Sequence, residues 1–122
     1  MERADFQRWA DRYVQAWSTN DPADIGGIFS HDAIYYTAPF REPWRGRDGI
    51  IEGWLGRKDE PSGWEFRYEV MAVADDLGFI RGSTHYRDPP IDYSNLWVIR
   101  LEADGLCSEF IEWWMEHDRP AP

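Results

Sequence analysis

The chain has one cysteine, Cys107, so no internal disulfide can form and a cysteine-rich zinc site is excluded. Positive charge is scarce: 13 Lys and Arg stand against 23 Asp and Glu, a formal charge of −10. Phosphate binding needs a basic face, so no nucleic-acid partner is expected, and no anionic membrane surface either. No apolar run approaches the roughly 18–20 residues of a membrane helix. The start, Met1-Glu2-Arg3-Ala4-Asp5, lacks the basic-then-apolar pattern of a signal peptide, and a cytoplasmic protein is expected. The 3 histidines are scattered, without His-x-x-x-His spacing, so no metal site is expected. Gly46-Arg47-Asp48-Gly49 lacks the Lys-Ser/Thr ending of a phosphate loop, and no nucleotide fingerprint exists, so no cofactor is expected. There is no repeat or long linker, and 122 residues predict one domain spanning 1–122.

Aromatic side chains, by contrast, are plentiful: 8 Trp, 6 Tyr and 6 Phe make up 16% of the chain, enough to wall a pocket as well as fill a core. Phe6, Trp9, Ala10, Tyr13, Ala16 and Trp17 recur at steps of three and four, which predicts an amphipathic helix over Ala4 to Trp17. Asn20-Asp21-Pro22 restarts a helix, with Asp21 as cap and Asp24 where a capping box puts an acid. Gly26-Gly27 keeps that helix short, and Ile25, Ile28 and Phe29 supply its buried face. Ala33 to Thr37 is rich in β-formers, the proline-bearing stretch Ala38 to Arg45 reads as a loop, and Asp48 to Arg57 returns to helical spacing. Beyond Lys58-Asp59-Glu60-Pro61-Ser62-Gly63 the period becomes two. Trp64, Phe66, Tyr68, Val70 and Ala72 form one face of a strand. Asp75-Asp76-Leu77-Gly78 predicts a hairpin turn, followed by strands over Phe79 to Arg87, Tyr93 to Glu102 and Leu106 to about Met115. Helices followed by a meander of strands predict an α+β layer structure.

Residues Tyr13 to Trp17 with Asn20-Asp21, then Ile28-Phe29 with His31-Asp32-Ala33 and Tyr36, are followed by Pro43, Gly46-Arg47 and Ile50. Asp104-Gly105 and Glu109-Phe110-Ile111-Glu112-Trp113-Trp114 close the series. In this order the chain resembles, over nearly its whole length, the nuclear-transport-factor-2-like (NTF2-like) superfamily, also called the SnoaL-like or cystatin-like α+β cone. The resemblance implies N-terminal helices packed on a curved, mainly antiparallel β-sheet around a conical pocket. That superfamily holds isomerases, polyketide cyclases, epoxide hydrolases, dehydratases and binding or dimerisation domains, so fold alone leaves function open. A distant similarity to ketosteroid isomerase implies that Tyr13 stands where that enzyme has its oxyanion-donating tyrosine. It also implies that Trp54, Phe110, Glu112, Trp114, Asn95 and Trp97 face inward. The positions of that enzyme's general base and of its protonated aspartate hold Ala38 and Trp97 here, which argues against steroid isomerisation in that form.

Glu112 shares a strand face with Phe110 and Trp114. If that face lines the pocket, desolvation raises its pKa and suits it to general acid–base work; if not, it is a solvated sheet acid. Tyr13 offers a hydrogen bond to a ligand oxygen or to a protein partner, and Asn95 offers an amide to a ligand carbonyl or to the backbone. The remaining ligand-binding candidates are Trp17, Tyr36, Trp54, Trp97, Phe110 and Trp114. His85 sits among Arg81, Ser83 and Arg87, a polar set expected on the outer face. Cys107 reads as a small hydrophobe. These residues leave three functions open: an acid–base isomerase, cyclase or hydrolase, a non-catalytic domain binding a small hydrophobic molecule, or an interaction domain with a filled cavity. On the outward parity, Leu96, Val98, Ile111 and Trp113 form an apolar patch, which predicts a homodimer through the outer sheet face.

Overall fold

A computed structural model describes residues 1–60 and 63–117. The first helix, α1, runs Arg3–Thr19 and buries Phe6, Trp9, Ala10, Tyr13 and Ala16, the face set by the three-four spacing. It starts in a capping box between Glu2 and Asp5 and ends at Asn20, which takes the left-handed conformation at φ 51°. Helix α2, Pro22–Gly26, is capped by Asp21, whose side chain accepts from the Ala23 N–H at 2.8 Å. Thr19 Oγ1 donates to Asp24 at 2.7 Å, so Asp24 ties back to α1 and does not close a capping box.

Phe29 does not extend α2. The first strand, β1, runs Phe29–Tyr36, earlier than Ala33, because Ile28 and Phe29 bury better against the sheet than on so short a helix. Strand β2, Trp44–Arg45, is a two-residue pairing with β1 inside the stretch expected to be loop. Helix α3 spans Gly46–Gly56 and buries Ile50 and Trp54. Then come β3 (Trp64–Ala74), β4 (Leu77–Arg87), β5 (Pro90–Leu101) and β6 (Cys107–Glu116). The sheet order is β2-β1-β6-β5-β4-β3. Every neighbouring pair is antiparallel except β1 with β6, so the expected meander is present and one parallel pairing closes it.

Two local departures from simple alternation have physical causes. A register shift between Val70 and Ala72 breaks the period in β3: Ala72 is exposed and Val73 packs on the core in its place. Gly78 is part of strand β4, not of the turn. Its missing side chain leaves room for Phe6, since a Cβ there would lie 2.3 Å from the Phe6 ring. The core joins α1, α3 and the concave sheet face through Trp9, Ile50, Phe29, Ile80, Ile99 and Phe110. On the opposite face His85 Nδ1 lies 2.6 Å from Asp92 Oδ1, and Arg87 pairs with Glu65, the outward placement expected for this polar set. Cys107 is fully buried, and burial pushes its thiol up, as fits a packing residue. No helix among the described residues is long and apolar enough to cross a membrane.

Candidate functional site

The helices and the concave sheet face enclose a cavity of about 480 Å³. Its polar centre is built on β4, β5 and β6. Thr84 Oγ1 donates to Asn95 Oδ1 at 2.8 Å, which fixes the amide so that its Nδ2 donates to Glu112 Oε1 at 3.3 Å. Glu112 and Trp97 are cross-strand partners. Burial raises Glu112 to about 8, and the nearby Trp97 N–H and the Asn95 amide only partly offset it. Glu112 is therefore mostly a neutral acid at pH 7. Because Oε1 accepts from Asn95, the acid's proton falls on Oε2. That oxygen is buried without a hydrogen-bond partner among the described residues, and so is Trp97 Nε1.

Two phenols form a second polar pair. Tyr13 from α1 and Tyr35 from β1 share a hydrogen bond of 2.6 Å between their hydroxyls. Burial raises both far above the ordinary tyrosine range; Tyr35 adds to the rise in Tyr13, and Glu112 adds to both. Raised so far, both phenols stay protonated. Around them lie rings: Tyr13 lies 4.6 Å from Trp97 and 4.9 Å from Trp54. Trp17 stacks on Trp64 at 3.7 Å, and its Nε1 donates to Asp59 Oδ2 at 2.9 Å. The same Asp59 oxygen accepts from Tyr86 at 2.9 Å. Trp114, also on the lining, donates to the Thr37 carbonyl at 3.2 Å and stays 43% exposed.

A family model described as the SnoaL-like domain matches residues 10–110. The chain belongs to the SnoaL-like family. No curated protein matches it by sequence. Among solved structures it is similar to a ketosteroid isomerase-like protein from Erwinia carotovora atroseptica, with TM-score 0.69 and 19% identity, covering 93% of this chain and 96% of that one. A protein provisionally named a ketosteroid isomerase, from Kribbella flavida, aligns with TM-score 0.74 and 16% identity over 98% of this chain and 84% of that one. An NTF-2 like protein of unknown function from Burkholderia xenovorans gives TM-score 0.73 and 17% identity over 97% and 88% of the two chains. At these identities the neighbours establish the fold: a SnoaL-like, NTF2-like α+β cone.

Within this SnoaL-like cone Tyr13, Asn95 and Glu112 lie together on the cavity wall, joined there by Trp17, Trp54, Trp97 and Trp114. Two of the expected residues do not line the cavity. Tyr36 is not on the wall; Tyr35 is, because Tyr36 pairs with outward-facing Ile111 and Tyr35 with inward-facing Phe110. Phe110 is 0% exposed and lies beneath the wall, covered by the rings of Tyr13, Tyr35 and Trp97. Asp59, Thr84 and Tyr86 were not foreseen. Thr84 and Tyr86 share the inward parity of β4, which alternation could have revealed, whereas Asp59 sits in a polar loop that carries no periodic signal.

The phenol pair can be tested by a double-mutant cycle. Tyr13→Phe or Tyr35→Phe alone leaves a buried hydroxyl unpaired and should cost about 1–3 kcal/mol in urea unfolding. The double variant should cost clearly less than the sum of the singles. Strict additivity would mean that cavity water already satisfies both hydroxyls.

Proposed function

We propose that this SnoaL-like domain binds a small, flat, hydrophobic molecule bearing a carbonyl or hydroxyl oxygen, with neutral Glu112 as the acid that hydrogen-bonds and protonates that oxygen. The observation that carries this reading is the pair of buried, unpartnered atoms on the cavity wall, Glu112 Oε2 and Trp97 Nε1. A ligand oxygen between them would accept from both and satisfy two groups that the fold leaves bare. Asn95, anchored by Thr84, holds the acid in place, and Tyr13 with Tyr35 offers a second donor beside Trp97. Donors converging on one oxygen suit cofactor-independent acid–base chemistry: isomerisation, cyclisation or hydrolysis. The hydrogen-bonded Asp59 carboxylate in the same cavity supplies the acceptor that such proton transfer also needs. The net charge of −10 speaks against a nucleic-acid partner.

A panel of aromatic ketones, titrated while tryptophan emission is followed, tests the reading. Saturable quenching is expected, and Glu112→Ala should weaken it about tenfold, the worth of one strong hydrogen bond. No saturable binding by any ketone would leave the alternative, a non-catalytic interaction domain.

The outer face supports a homodimer as well. Leu96 and Trp113 are direct cross-strand partners, 39% and 51% exposed, and Met115 beyond them is 70% exposed. A two-fold pairing would bury this patch on both subunits at once. Light scattering should give about twice the 14.4 kDa chain mass, and Trp113→Glu should return it to the mass of one chain. A wild-type protein that scatters as a monomer at micromolar concentration sinks the dimer.

A further inference from the structure

Most cations of this acidic chain are committed to its own structure. Arg8, Arg81, Arg87 and Arg100 pair with acids, while Arg3, Arg12 and Arg47 donate to backbone carbonyls. Arg41, Arg57 and Lys58 do neither among the described residues, yet all three line the cavity and are exposed at its mouth. They come from separate segments: Arg41 from the connection between β1 and β2, Arg57 and Lys58 from the stretch that follows α3. Arg41 lies 6.0 Å over the ring of Trp114, so its charge is held against an aromatic face of the lining. Three acids share the lining, Asp59, Asp88 and Glu112; one oxygen of Asp59 is already occupied by Trp17 and Tyr86, and burial keeps Glu112 mostly neutral at pH 7.

We infer that the cavity mouth is an anion subsite, and that the ligand is a flat hydrophobic acid whose carboxylate is held by Arg41, Arg57 and Lys58 while its apolar body lies among the tryptophans. This inference rests on the binding reading above and adds the ligand's charge. A chain of net −10 repels anions at long range, but a charge is screened beyond about 8 Å at physiological salt, so the cations at the mouth dominate there. The arrangement also orients the ligand: the anion stays at the rim, and the opposite end reaches Glu112 and Trp97.

Calorimetric titration with 1-naphthaleneacetic acid and its neutral twin, 1-naphthaleneacetamide, separates charge from shape. In low salt the acid should bind about tenfold tighter than the amide, and 0.5 M salt should shrink that ratio at least threefold. The triple variant Arg41→Ala, Arg57→Ala, Lys58→Ala should bind the two probes equally, with the amide's affinity unchanged from wild type. Equal binding by the wild-type protein, or a preference that survives in the triple variant, overturns the anion subsite but leaves the hydrophobic cavity standing. If neither probe binds, the cavity reading falls and the subsite with it.

Discussion

Replacing Glu112 by glutamine should stabilise the protein at alkaline pH and lose that advantage as the pH falls toward 4. Burial raises the folded carboxyl to about 8, against an ordinary value of 4.5. Between these two values the folded chain keeps a proton that the unfolded chain has lost. Below 4.5 both states are protonated, and Glu112 contributes no pH-dependent penalty. The penalty grows as the pH rises and is complete above about 8, where the folded state must hold a buried charge. After allowance for its partial exposure, the full penalty is roughly 2–4 kcal/mol. Glutamine cannot ionise, so thermal unfolding should place the variant several degrees above wild type at pH 9 and approach a constant offset below pH 5. Other acids titrate in both proteins and cancel in the difference. A difference between the two proteins that does not vary with pH would show Glu112 to be solvated in the folded state.

The same residue shows how far a sequence can be read. Its inward facing follows from parity with Phe110 and Trp114, and parity survives because β5 and β6 pair without interruption from Tyr93 to Arg100. Where a strand carries two tyrosines in a row, as at Tyr35-Tyr36, composition cannot say which one turns inward, and only the pairing with β6 decides. A bulge defeats periodicity outright, which is why Ala72 lies outside and Val73 packs within. The first helix was legible because its apolar spacing is local and its partner face broad. The hydrogen bonds that build the site were not. Thr84, Asn95 and Glu112 come from three different strands, and their contact depends on register across the sheet. Asp59 reaches Trp17 and Tyr86 from a loop, a meeting set by the packing of α3 and not by any pattern near residue 59.

Truncating Trp97 to alanine should produce the largest loss of stability of any single change at the site, about 3–5 kcal/mol. Its ring is 1% exposed, stacked on Phe66 at 4.9 Å, with Tyr13 at 4.6 Å and Phe110 at 5.2 Å. Removing it strips contacts from three rings at once and opens the cavity into the core, a space the surrounding strands cannot collapse to fill. Trp97→Phe should be far milder. It keeps a flat ring in the stack, and the indole N–H it removes has no hydrogen-bond partner to lose among the described residues. That N–H does hold down the pKa of Glu112, so the phenylalanine variant should titrate Glu112 above its wild-type midpoint of about 8 in a carboxyl-carbon NMR experiment. The same variant should bind aromatic ketones more weakly while remaining folded, because the ligand oxygen loses one of its two donors. Urea unfolding and ketone titration on the two variants therefore separate what Trp97 does for the core from what it does for the ligand. If Trp97→Phe leaves both the Glu112 midpoint and ketone affinity unchanged, the indole N–H serves neither the acid nor the ligand, and Trp97 is a packing residue alone.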